Sequence, residues 1–326
     1  MNSNPDAGTV LVLSAHEDLT ADAVIGELHE RSASVVRIDT GDFPIRCQLA
    51  ATFSVDGFQG CLRSEDIELD LTTVQSIYYR RPTKFAFSDA LSDADNLLAA
   101  TEARLGLGGV LGTLDVLWIN HPARVAIAEY KPIQLRMATR CGLDIPRTLI
   151  TNNKSAVIEF ADAVGGPVVC KMLSSLVLSE QGVPHMTYTT MIDARTIDSS
   201  ALATTAHLIQ EWVPKQYDAR VTIVGQQAFG VAVHASSDRG HLDWRSDYES
   251  LEYRKIDPPR SVVSAAVQFL QCLGLTFGAF DFVVTPDGQW VMLECNPAGQ
   301  WLWLQDETGV EIAEGIADLL VSGELR

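Results

Sequence analysis

Two carboxylates and one amide fall within a single short segment, FDFVVTPDGQWVMLECNP, which covers residues 280–297. Both halves of this segment are rich in Val, Phe and Trp, which predicts two strands, and the Asp-Gly pair at 287–288 predicts a hairpin turn between them. With a two-residue loop at that pair, Asp281 lies directly opposite Glu294, with Cβ atoms about 5 Å apart. Asn296 follows Glu294 by two residues and therefore projects from the same face of the sheet.

The facing acids predict a bound cation, because like charges at this distance destabilise a sheet unless positive charge lies between them. Two carboxylates and an amide oxygen form a hard-oxygen ligand set, which suits Mg²⁺ shared with substrate phosphates. We therefore expect Asp281, Glu294 and Asn296 to hold this metal. The alternative is an exposed hairpin with scattered acids, and a loop one residue longer than predicted would abolish the facing.

The overall charge restricts the partners of the chain. The 326 residues carry a formal net charge of −18, and 47% of them are hydrophobic. This is the composition of a soluble globular protein with room for two or three compact subdomains. The acidity argues against a nucleic-acid partner, which normally needs a basic face. Any bound nucleotide must therefore be neutralised locally, by a metal and a few placed cations.

Six cysteines are scattered without a CxxC pair, at positions 47, 61, 141, 170, 272 and 295. This spacing favours reduced, mostly buried thiols in a cytoplasm over disulfides or zinc. Cys295 alternates away from Glu294 and is expected in the core. The amino terminus lacks the basic region of a signal peptide, and no apolar run reaches membrane length, so we expect a cytoplasmic protein without membrane contact.

An α/β layer is expected at the start of the chain, because residues 9–15 and 34–39 are predicted strands on either side of an amphipathic helix. No GxGxxG follows the first strand, so no dinucleotide site is expected there. Residues 185–192 are expected to pair with 167–172, and 236–258 to be irregular. The further predicted helices cover residues 89–113, 123–141, 155–164, 199–205, 261–273 and 308–321.

Three cations lie on these elements where phosphates could meet them. Lys131 precedes Pro132, which favours the first helical position and places the lysine at an anion-attracting helix N-terminus. Lys171 lies on the strand PVVCKM, and Arg220 lies on YDARVTIVG, where alternation gives it the same face as Asp218. Singly, such side chains are more often solvated or ion-paired. Their order along the chain is more informative.

That order is similar to the ATP-grasp superfamily, and the resemblance covers roughly residues 116–300. It implies two β-rich lobes that hold ATP between them, and a carboxylate that is activated as an acyl phosphate and then attacked by an amine or a hydroxyl. Carried over by position, the resemblance gives Lys131 and Lys171 contacts to phosphate, Glu211, Trp212 and Val213 backbone bonds to adenine, Asp218 the ribose, and Asp281, Glu294 and Asn296 the Mg²⁺.

A narrower resemblance spans nearly the whole chain. Segments such as RIDTGDFP, IYYRRP, INHP, IQEWVPK, ARVTIVG and DWR resemble the microviridin-type ATP-grasp ligases, also called graspetide maturases. Those enzymes join Asp or Glu side chains of a ribosomal precursor peptide to Thr, Ser or Lys side chains of the same peptide. The resemblance implies an α/β fold with an N-terminal pre-ATP-grasp domain (1–121), a central lobe (122–205) and a C-terminal lobe (206–326). The sequence departs from the family at DAR (218–220), where a large middle residue is more common, and does not align clearly over 173–183.

The same resemblance gives two arginines a part in the chemistry. Arg220 and Arg245 would stabilise the acyl phosphate and then the tetrahedral oxyanion. The alternatives are an ion pair for Arg220 and solvent exposure for Arg245. No general base is evident, since His234 and His241 are lone histidines, which are more often structural.

Peptide binding is the least defined implication of the resemblance. A leader peptide would dock on the central lobe, near 172–190 and 196–205, where Asp193 and Asp198 could meet leader arginines. The alternative is a solvated acidic loop. The resemblance also implies a homodimer.

Two other functions would use the same residues. A RimK-like ligase that adds a free amino acid to a protein or small acceptor would share every ATP-binding residue and differ only at the acceptor site. A nucleotide-binding regulatory module without turnover is disfavoured, because none of the residues that the reaction requires is missing. The precursor peptide, the ester or amide bond and the ring pattern stay open. So does the part of Arg80 and Arg81, which either contact a subunit or substrate or end a strand in a salt bridge.

Overall fold

The computed structural model describes residues 8–174, 178–180, 183–185 and 188–324. The elements of the first third are β1 (Thr9–Ser14), α1 (Leu19–Glu30), β2 (Ser34–Ile38), β3 (Gln48–Ser54), β4 (Gly57–Arg63), β5 (Glu68–Asp70), β6 (Val74–Arg80), α2 (Asp93–Gly112), β7 (Leu117–Ile119) and α3 (Pro122–Ala128). Those of the middle are α4 (Lys131–Arg140), β8 (Thr148–Thr151), α5 (Lys154–Val164), β9 (Val168–Lys171), β10 (Leu178–Glu180), β11 (Val183–His185), β12 (Thr190–Ile192), α6 (Ser199–Leu202) and β13 (His207–Glu211). The last third contains β14 (Tyr217–Val224), β15 (Gln227–Ala235), α7 (Asp238–Leu242), β16 (Leu251–Ile256), α8 (Arg260–Leu273), β17 (Phe277–Val284), β18 (Trp290–Asn296), α9 (Leu302–Thr308) and α10 (Ile312–Ser322).

A parallel sheet in the order β2-β1-β6-β7 forms the N-terminal region and confirms the predicted α/β start. Strand β1 is apolar on both faces because both are covered. Val10 and Val12 pack towards α1 and α10, whereas Leu11 and Leu13 pack towards α2. The C-terminal helix therefore shares a core with the N-terminal sheet. A separate three-stranded sheet, β3-β4-β5, lies beside it.

The central region is a small antiparallel sheet in the order β12-β9-β13-β8. Helix α5 packs against it through Val157, which shares a buried cluster with Val168 and Ile209. Asn153 caps α5, and Gly165 ends it in the left-handed conformation with φ 70°. The short strands of this sheet carry Lys171 at the end of β9.

The C-terminal region is an antiparallel sheet in the order β16-β15-β14-β17-β18. One face packs on α8, because alternate residues of β14 such as Val221 share a buried cluster with Phe269 of α8 and Phe280 of β17. The opposite face of the same strands carries Asp218, Arg220 and Asp281. The two faces of these strands thus differ. One face packs into a hydrophobic core, and the other carries polar side chains that are also buried.

Three expected elements were wrong in part. Residues 236–258 are not wholly irregular, because β16 pairs with the edge of β15 and α7 forms before it. Of residues 185–192, only 190–192 pair with β9, while His185 pairs with β10 and 186–187 lie outside the described residues. Helix 123–141 is two helices, as expected from Pro132. A short helix, α9, precedes the last one, which begins at Ile312 rather than 308.

The predicted domain boundaries at 121/122 and 205/206 remain predictions. Hydrogen bonding alone assigns β13 to the central sheet, which would place the second boundary after Glu211. Among the described helices, none is both long enough and apolar enough to cross a membrane.

Candidate functional site

The hairpin of β17 and β18 brings Asp281 opposite Glu294, as predicted. The route differs from the expected one. The turn occupies 286–288, one residue more than expected, with the amide of Gly288 donating to the Thr285 carbonyl at 2.9 Å. A bulge at Leu293 then shifts the register between Phe282 and Asp281 and restores the facing. The longer loop alone would have paired Asp281 with Leu293 and turned Glu294 to the other face.

Asp281 is held by an arginine from the neighbouring strand. Arg220 is its direct partner across β14 and β17, and its Nη1 donates to Oδ1 of Asp281 at 2.7 Å. The two residues are only 6% and 5% exposed. The ion-pair interpretation of Arg220 is therefore confirmed. It leaves Arg220 beside the hairpin, within reach of whatever binds there.

Glu294 is held by two cations from other parts of the fold. Oε2 lies 2.8 Å from Nζ of Lys131, at the N-terminus of α4, and Oε1 accepts a hydrogen bond from Nη1 of Arg245 at 3.0 Å. Burial raises the pKa of Glu294, but Lys131 and Arg245 outweigh burial and hold that pKa well below its usual range. Arg245 is thus ion-paired and partly buried, with 36% of its side chain exposed. Burial lowers its pKa, and the three facing acids Glu294, Asp281 and Asp243 raise it further than burial lowers it.

Lys171 lies close enough to Glu294 for the carboxylate to affect the pKa of the lysine. Burial, opposed by Glu294 and reinforced by Arg245 and Lys131, lowers the pKa of Lys171 to about 8. Lys131 also donates to the carbonyl of Met172, next to Lys171, at 2.8 Å. Three cations, Lys131, Lys171 and Arg245, therefore meet two carboxylates, Glu294 and Asp243, which leaves one net positive charge around Glu294.

The predicted ribose acid, Asp218, is paired with a lysine that the sequence analysis did not single out. Nζ of Lys215 donates to both carboxylate oxygens of Asp218 at 2.8 and 2.6 Å, and lies 5.5 Å from the centre of the Trp212 ring. Burial raises the pKa of Asp218 to about 6, although Lys215 opposes that shift. The pair fixes the side chain of Asp218 at the start of β14.

The predicted hinge already uses two of its three backbone amides. The amides of Glu211 and Trp212 donate to the carbonyls of Arg147 and Pro167, at 3.0 and 2.9 Å. Within the described chain, the amide of Val213 donates no hydrogen bond. Val213 is therefore the hinge residue whose amide can donate to a ligand without breaking an existing hydrogen bond, and the predicted backbone bonds of 211–213 to adenine stay a prediction.

One cleft between the central and C-terminal sheets joins these groups. Its lining includes Lys171, Glu211, Trp212, Val213, Lys215, Asp218, Asp243, Trp244, Arg245 and Asp281. Glu294, Lys131 and Arg220 reach it through the ion pairs described above. Most of the predicted nucleotide and catalytic residues thus come together around one space.

Asp193 and Asp198 are not brought to the cleft. Both are exposed, and both form local backbone contacts in the described part of the chain: Asp193 accepts from the amide of Arg195 at 2.9 Å, and Asp198 caps α6 through the amide of Ser200 at 2.8 Å. Their proposed contact with a leader peptide stays a prediction, and part of the predicted docking region 172–190 lies outside the described residues.

The hairpin residues fit a divalent ion shared with a substrate. Within the described residues, no group of three or more His, Cys, Asp or Glu side chains is arranged so that it could hold a metal ion by itself. An ion held by Asp281, Glu294 and Asn296 would therefore take its remaining ligands from water and substrate oxygens, which is the usual arrangement for Mg²⁺ with phosphates. Oδ1 of Asn296 accepts from the amide of Ala298 at 3.0 Å, which orients its side chain.

The main residue that sequence reasoning missed is Asp243. Its Oδ2 accepts from the amide and the hydroxyl of Thr189, each at 3.1 Å, and its Oδ1 accepts from Nε of Arg245 at 3.1 Å. Asp243 therefore links the central region to the arginine that holds Glu294. The acid next to Arg245 in DWR was the available signal, but its partner is 54 residues away along the chain.

Comparison with known proteins places this cleft in a familiar context. Residues 9–126 match the family described as "MvdD pre-ATP grasp domain". The chain is similar to the macrocyclase MdnB from Microcystis aeruginosa MRC, with 30% identity, a TM-score of 0.78, and coverage of 97% of this chain and 100% of that one. It is also similar to the macrocyclase MdnC bound with precursor peptide MdnA from the same organism, with 27% identity, a TM-score of 0.82, and coverage of 96% and 99%.

A second group of relatives has different descriptions. A "Probable alpha-L-glutamate ligase" from Enterobacter sp. (strain 638) is 27% identical over 200 residues, which are 60% of this chain and 64% of that protein. A "Ribosomal protein bS6--L-glutamate ligase" from Salmonella newport (strain SL254) is also 27% identical, over 202 residues. The match thus spans 64% of the length of these curated relatives.

Proposed function

The chain belongs to the ATP-grasp family with an MvdD-type pre-ATP-grasp domain, and on this premise we propose that it is an ATP-dependent peptide ligase. It activates Asp or Glu side-chain carboxylates of a ribosomal precursor peptide as acyl phosphates. It then joins them to Thr or Ser as esters, or to Lys as amides, within the same peptide. The observation that carries this proposal is the cleft in which Glu294 faces Asp281 and is surrounded by Lys131, Lys171 and Arg245.

The three cations that surround Glu294 complement a polyphosphate. Lys171 has its pKa lowered to about 8, chiefly by burial, so an incoming phosphate would stabilise its protonated form. Lys131 lies at a helix N-terminus, where the backbone also favours anions. We assign both lysines to the phosphates of ATP, the free amide of Val213 to the adenine, and Asp218 with Lys215 to the ribose.

Asp281, Glu294 and Asn296 would hold Mg²⁺, which offsets phosphate charge during transfer. In the structure, Lys131 and Arg245 lie on the two oxygens of Glu294. A nucleotide would draw these two cations towards its own oxygens and free Glu294 for the metal. Metal and nucleotide binding are therefore coupled through these side chains.

Two arginines are suited to the anionic intermediates. In the first half-reaction, a peptide carboxylate oxygen attacks the γ-phosphorus and ADP leaves. In the second, a hydroxyl or amine attacks the acyl carbon, loses its proton, and inorganic phosphate leaves. Arg220 and Arg245 carry fixed guanidinium groups beside the hairpin, where they can donate to the acyl phosphate and to the tetrahedral oxyanion.

A RimK-like ligase is the second candidate, and the curated glutamate ligases are the observation that favours it. Such an enzyme would add a free amino acid to an acceptor. The peptide macrocyclase is preferred because the similarity to MdnB covers 97% of this chain and 100% of that one, whereas the glutamate ligases match over 60% of this one. A partner peptide with a leader, a homodimeric assembly and a cytoplasmic location follow from the same preference and are part of the proposal.

Isotope transfer tests the acyl phosphate directly. A candidate precursor peptide, taken from a short open reading frame near the gene, would be prepared with ¹⁸O in its side-chain carboxylates and incubated with the enzyme, ATP and Mg²⁺. We expect one ¹⁸O atom in inorganic phosphate for each linkage formed, with ADP as the nucleotide product. Product linkages without label in phosphate would contradict activation by phosphorylation. A peptide that becomes heavier by one added glutamate residue would support the RimK-like function instead.

A further inference from the structure

The loop that follows the hairpin is held by the N-terminal region as well as by its own lobe. The post-hairpin loop comprises residues 297–300. Nδ2 of Asn120 donates to the carbonyl of Pro297 at 2.7 Å, and Nη1 of Arg80 donates to the carbonyl of Ala298 at 3.1 Å. Nη2 of Arg80 also donates to Oε1 of Gln300. Both donors lie at the carboxyl end of the parallel sheet, just after β7 and at the end of β6.

Arg80 is a buried cation with few partners in its own region. It is 3% exposed, and the nearest acid, Asp18, lies 3.9 Å away while also capping α1 through the amide of Ala21. Nε of Arg80 makes no hydrogen bond within the described chain. A buried guanidinium needs its hydrogen bonds to offset desolvation, so the post-hairpin loop supplies what the N-terminal region does not. The interpretation of Arg80 as a salt-bridged strand end is confirmed by its contact with Asp18, whereas its hydrogen bonds to the loop were not predicted. A contact of Arg80 with a subunit or substrate stays a prediction.

The opposite side of the post-hairpin loop touches the proposed chemistry. The amide of Ala298 donates to Oδ1 of Asn296 at 3.0 Å, and Nη2 of Arg220 donates to the carbonyl of Gln300 at 3.4 Å. A Cβ placed on Gly299 would lie 2.8 Å from Nη2 of Arg220, so glycine lets the loop lie directly against that guanidinium. The orientation of Asn296 and Arg220 therefore depends on where this loop lies.

We infer that Arg80 is a positioning residue for the metal site: it fixes the post-hairpin loop so that Asn296 and Arg220 keep their orientation. The inference rests on the proposed function, because it assigns Asn296 to the metal. Arg80 touches neither the cleft nor the hairpin carboxylates in the described structure, and it acts only through the loop. Outer partners that orient metal ligands commonly change metal affinity by about 10–100-fold.

A purely structural part for Arg80 would give a different result. In that case its loss would weaken the contact between the N-terminal region and the rest of the chain without altering the metal site. Ser76 supplies the matched control, because it lies on the same strand and is fully buried. Its hydroxyl donates to the carbonyl of Leu320 in α10 at 2.8 Å, away from the post-hairpin loop.

Mn²⁺ binding to the full-length protein, measured by electron paramagnetic resonance with saturating ADP, tests the inference. The variants are Arg80→Gln, Arg80→Lys, Gln300→Ala, Ser76→Ala and Glu294→Gln, each with its ADP affinity measured without metal. We expect Arg80→Gln to weaken Mn²⁺ binding by about tenfold or more, with ADP affinity changed less than about twofold. Arg80→Lys should recover part of the loss, and Ser76→Ala should lower thermal stability without weakening Mn²⁺ binding.

Gln300→Ala guards the test against a misfolded Arg80 variant. Gln300 is exposed, and its side chain accepts from Arg80 and from the hydroxyl of Thr20, so its truncation loosens the loop without emptying a buried site. We expect a smaller loss of Mn²⁺ affinity in the same direction. Unchanged Mn²⁺ binding in Arg80→Gln, or equal losses in Arg80→Gln and Ser76→Ala, would overturn the inference. If Glu294→Gln binds Mn²⁺ as the wild type does, the metal site itself is wrong, which is a different failure.

Discussion

The two facing carboxylates of the hairpin have opposite electrostatic surroundings. Asp281 is paired with Arg220, its direct neighbour across two long and almost fully buried strands, and Arg245 also faces it. Glu294 is surrounded by Lys131, Arg245 and Lys171, which come from a helix, a turn and a strand of the central sheet. The direct partner of Asp281 comes from the sheet that carries it, whereas around Glu294 three cations meet two carboxylates, Glu294 and Asp243.

This difference separates support from binding. A balanced buried pair gains little from an added anion, and removing one partner leaves an uncompensated charge. An excess of cations around one acid is costly in the empty protein and is relieved when an anion arrives. We therefore expect changes on the Asp281 side to affect folding, and changes on the Glu294 side to affect nucleotide and metal.

The largest expected effect on activity is that of Glu294→Gln. This change removes the acid around which the three cations are arranged, and we expect ADP release in the presence of peptide to fall by roughly 100-fold or more, as for other groups that stabilise transition-state charge. The matched control is Glu252→Gln on the edge strand β16, where the acid pairs only with Arg254 and is exposed. Comparable losses in both variants would break the comparison.

The largest expected effect on folding is that of Arg220→Met. Its loss leaves Asp281 buried without its partner, and we expect the free energy of unfolding to fall by about 3 kcal/mol. Chemical denaturation measures this loss. Adding Asp281→Leu to Arg220→Met should recover much of the lost stability, since a buried pair can be replaced by apolar groups. A loss no larger than that of Glu294→Gln would contradict the assignment of the two sides.

The pH dependence of stability should reveal the lowered pKa of Lys171, which is caused chiefly by burial. Its folded pKa of about 8 lies below the value of 10.5 for an unperturbed lysine, so the unfolded chain binds more protons between these two pH values. Stability therefore gains a contribution as pH rises through this window, and the full penalty is present below about pH 8. We expect Lys171→Met to lose this rise in urea unfolding from pH 7 to pH 10, while the exposed control Lys255→Met keeps it. The same rise in both variants would contradict it.

The smallest expected effect lies outside the comparison, at Asp193 and Asp198. Both are exposed acids with local capping contacts, so their replacement by Asn, which retains those contacts, should weaken leader-peptide binding by about fivefold or less. Fluorescence anisotropy of a labelled leader at two salt concentrations measures the change. No change at either salt concentration would leave the two residues as caps and remove them from the proposed docking surface.

Local alternation predicted much of the site. Period-two patterns correctly gave Asp218 and Arg220 a shared face and placed Asp281 opposite Glu294. The longer turn and its compensating bulge were not predictable from the hairpin, because the amide of Met292 beside the bulge donates to the carbonyl of Asp144 at 2.8 Å, a tertiary contact. Asp281 and Glu294 thus face each other as predicted, because the longer turn and the bulge shift the register in opposite directions.

Long-range pairing set the limit of the sequence prediction. Lys131 was placed correctly at a helix start from Pro132, but its contact with Glu294 depends on how α4 packs against β18. The partners of Asp243 and Arg80 were found only in the structure, because they are distant along the chain. Local physical rules determine the helices and strands, whereas the cluster of cations around Glu294 forms only when three of these elements pack together.

The mass of the co-expressed precursor peptide tests the central claim most directly. The short open reading frame beside the gene would be expressed with the wild-type protein, with Glu294→Gln and with the control Glu252→Gln. We expect loss of one water for each linkage with the wild type and the control, and an unmodified peptide with Glu294→Gln. Mild base or hydroxylamine would then distinguish esters from amides. An unmodified peptide in a confirmed complex with active, ATP-bound wild-type protein, or a gain equal to an added amino acid, would contradict intramolecular ligation.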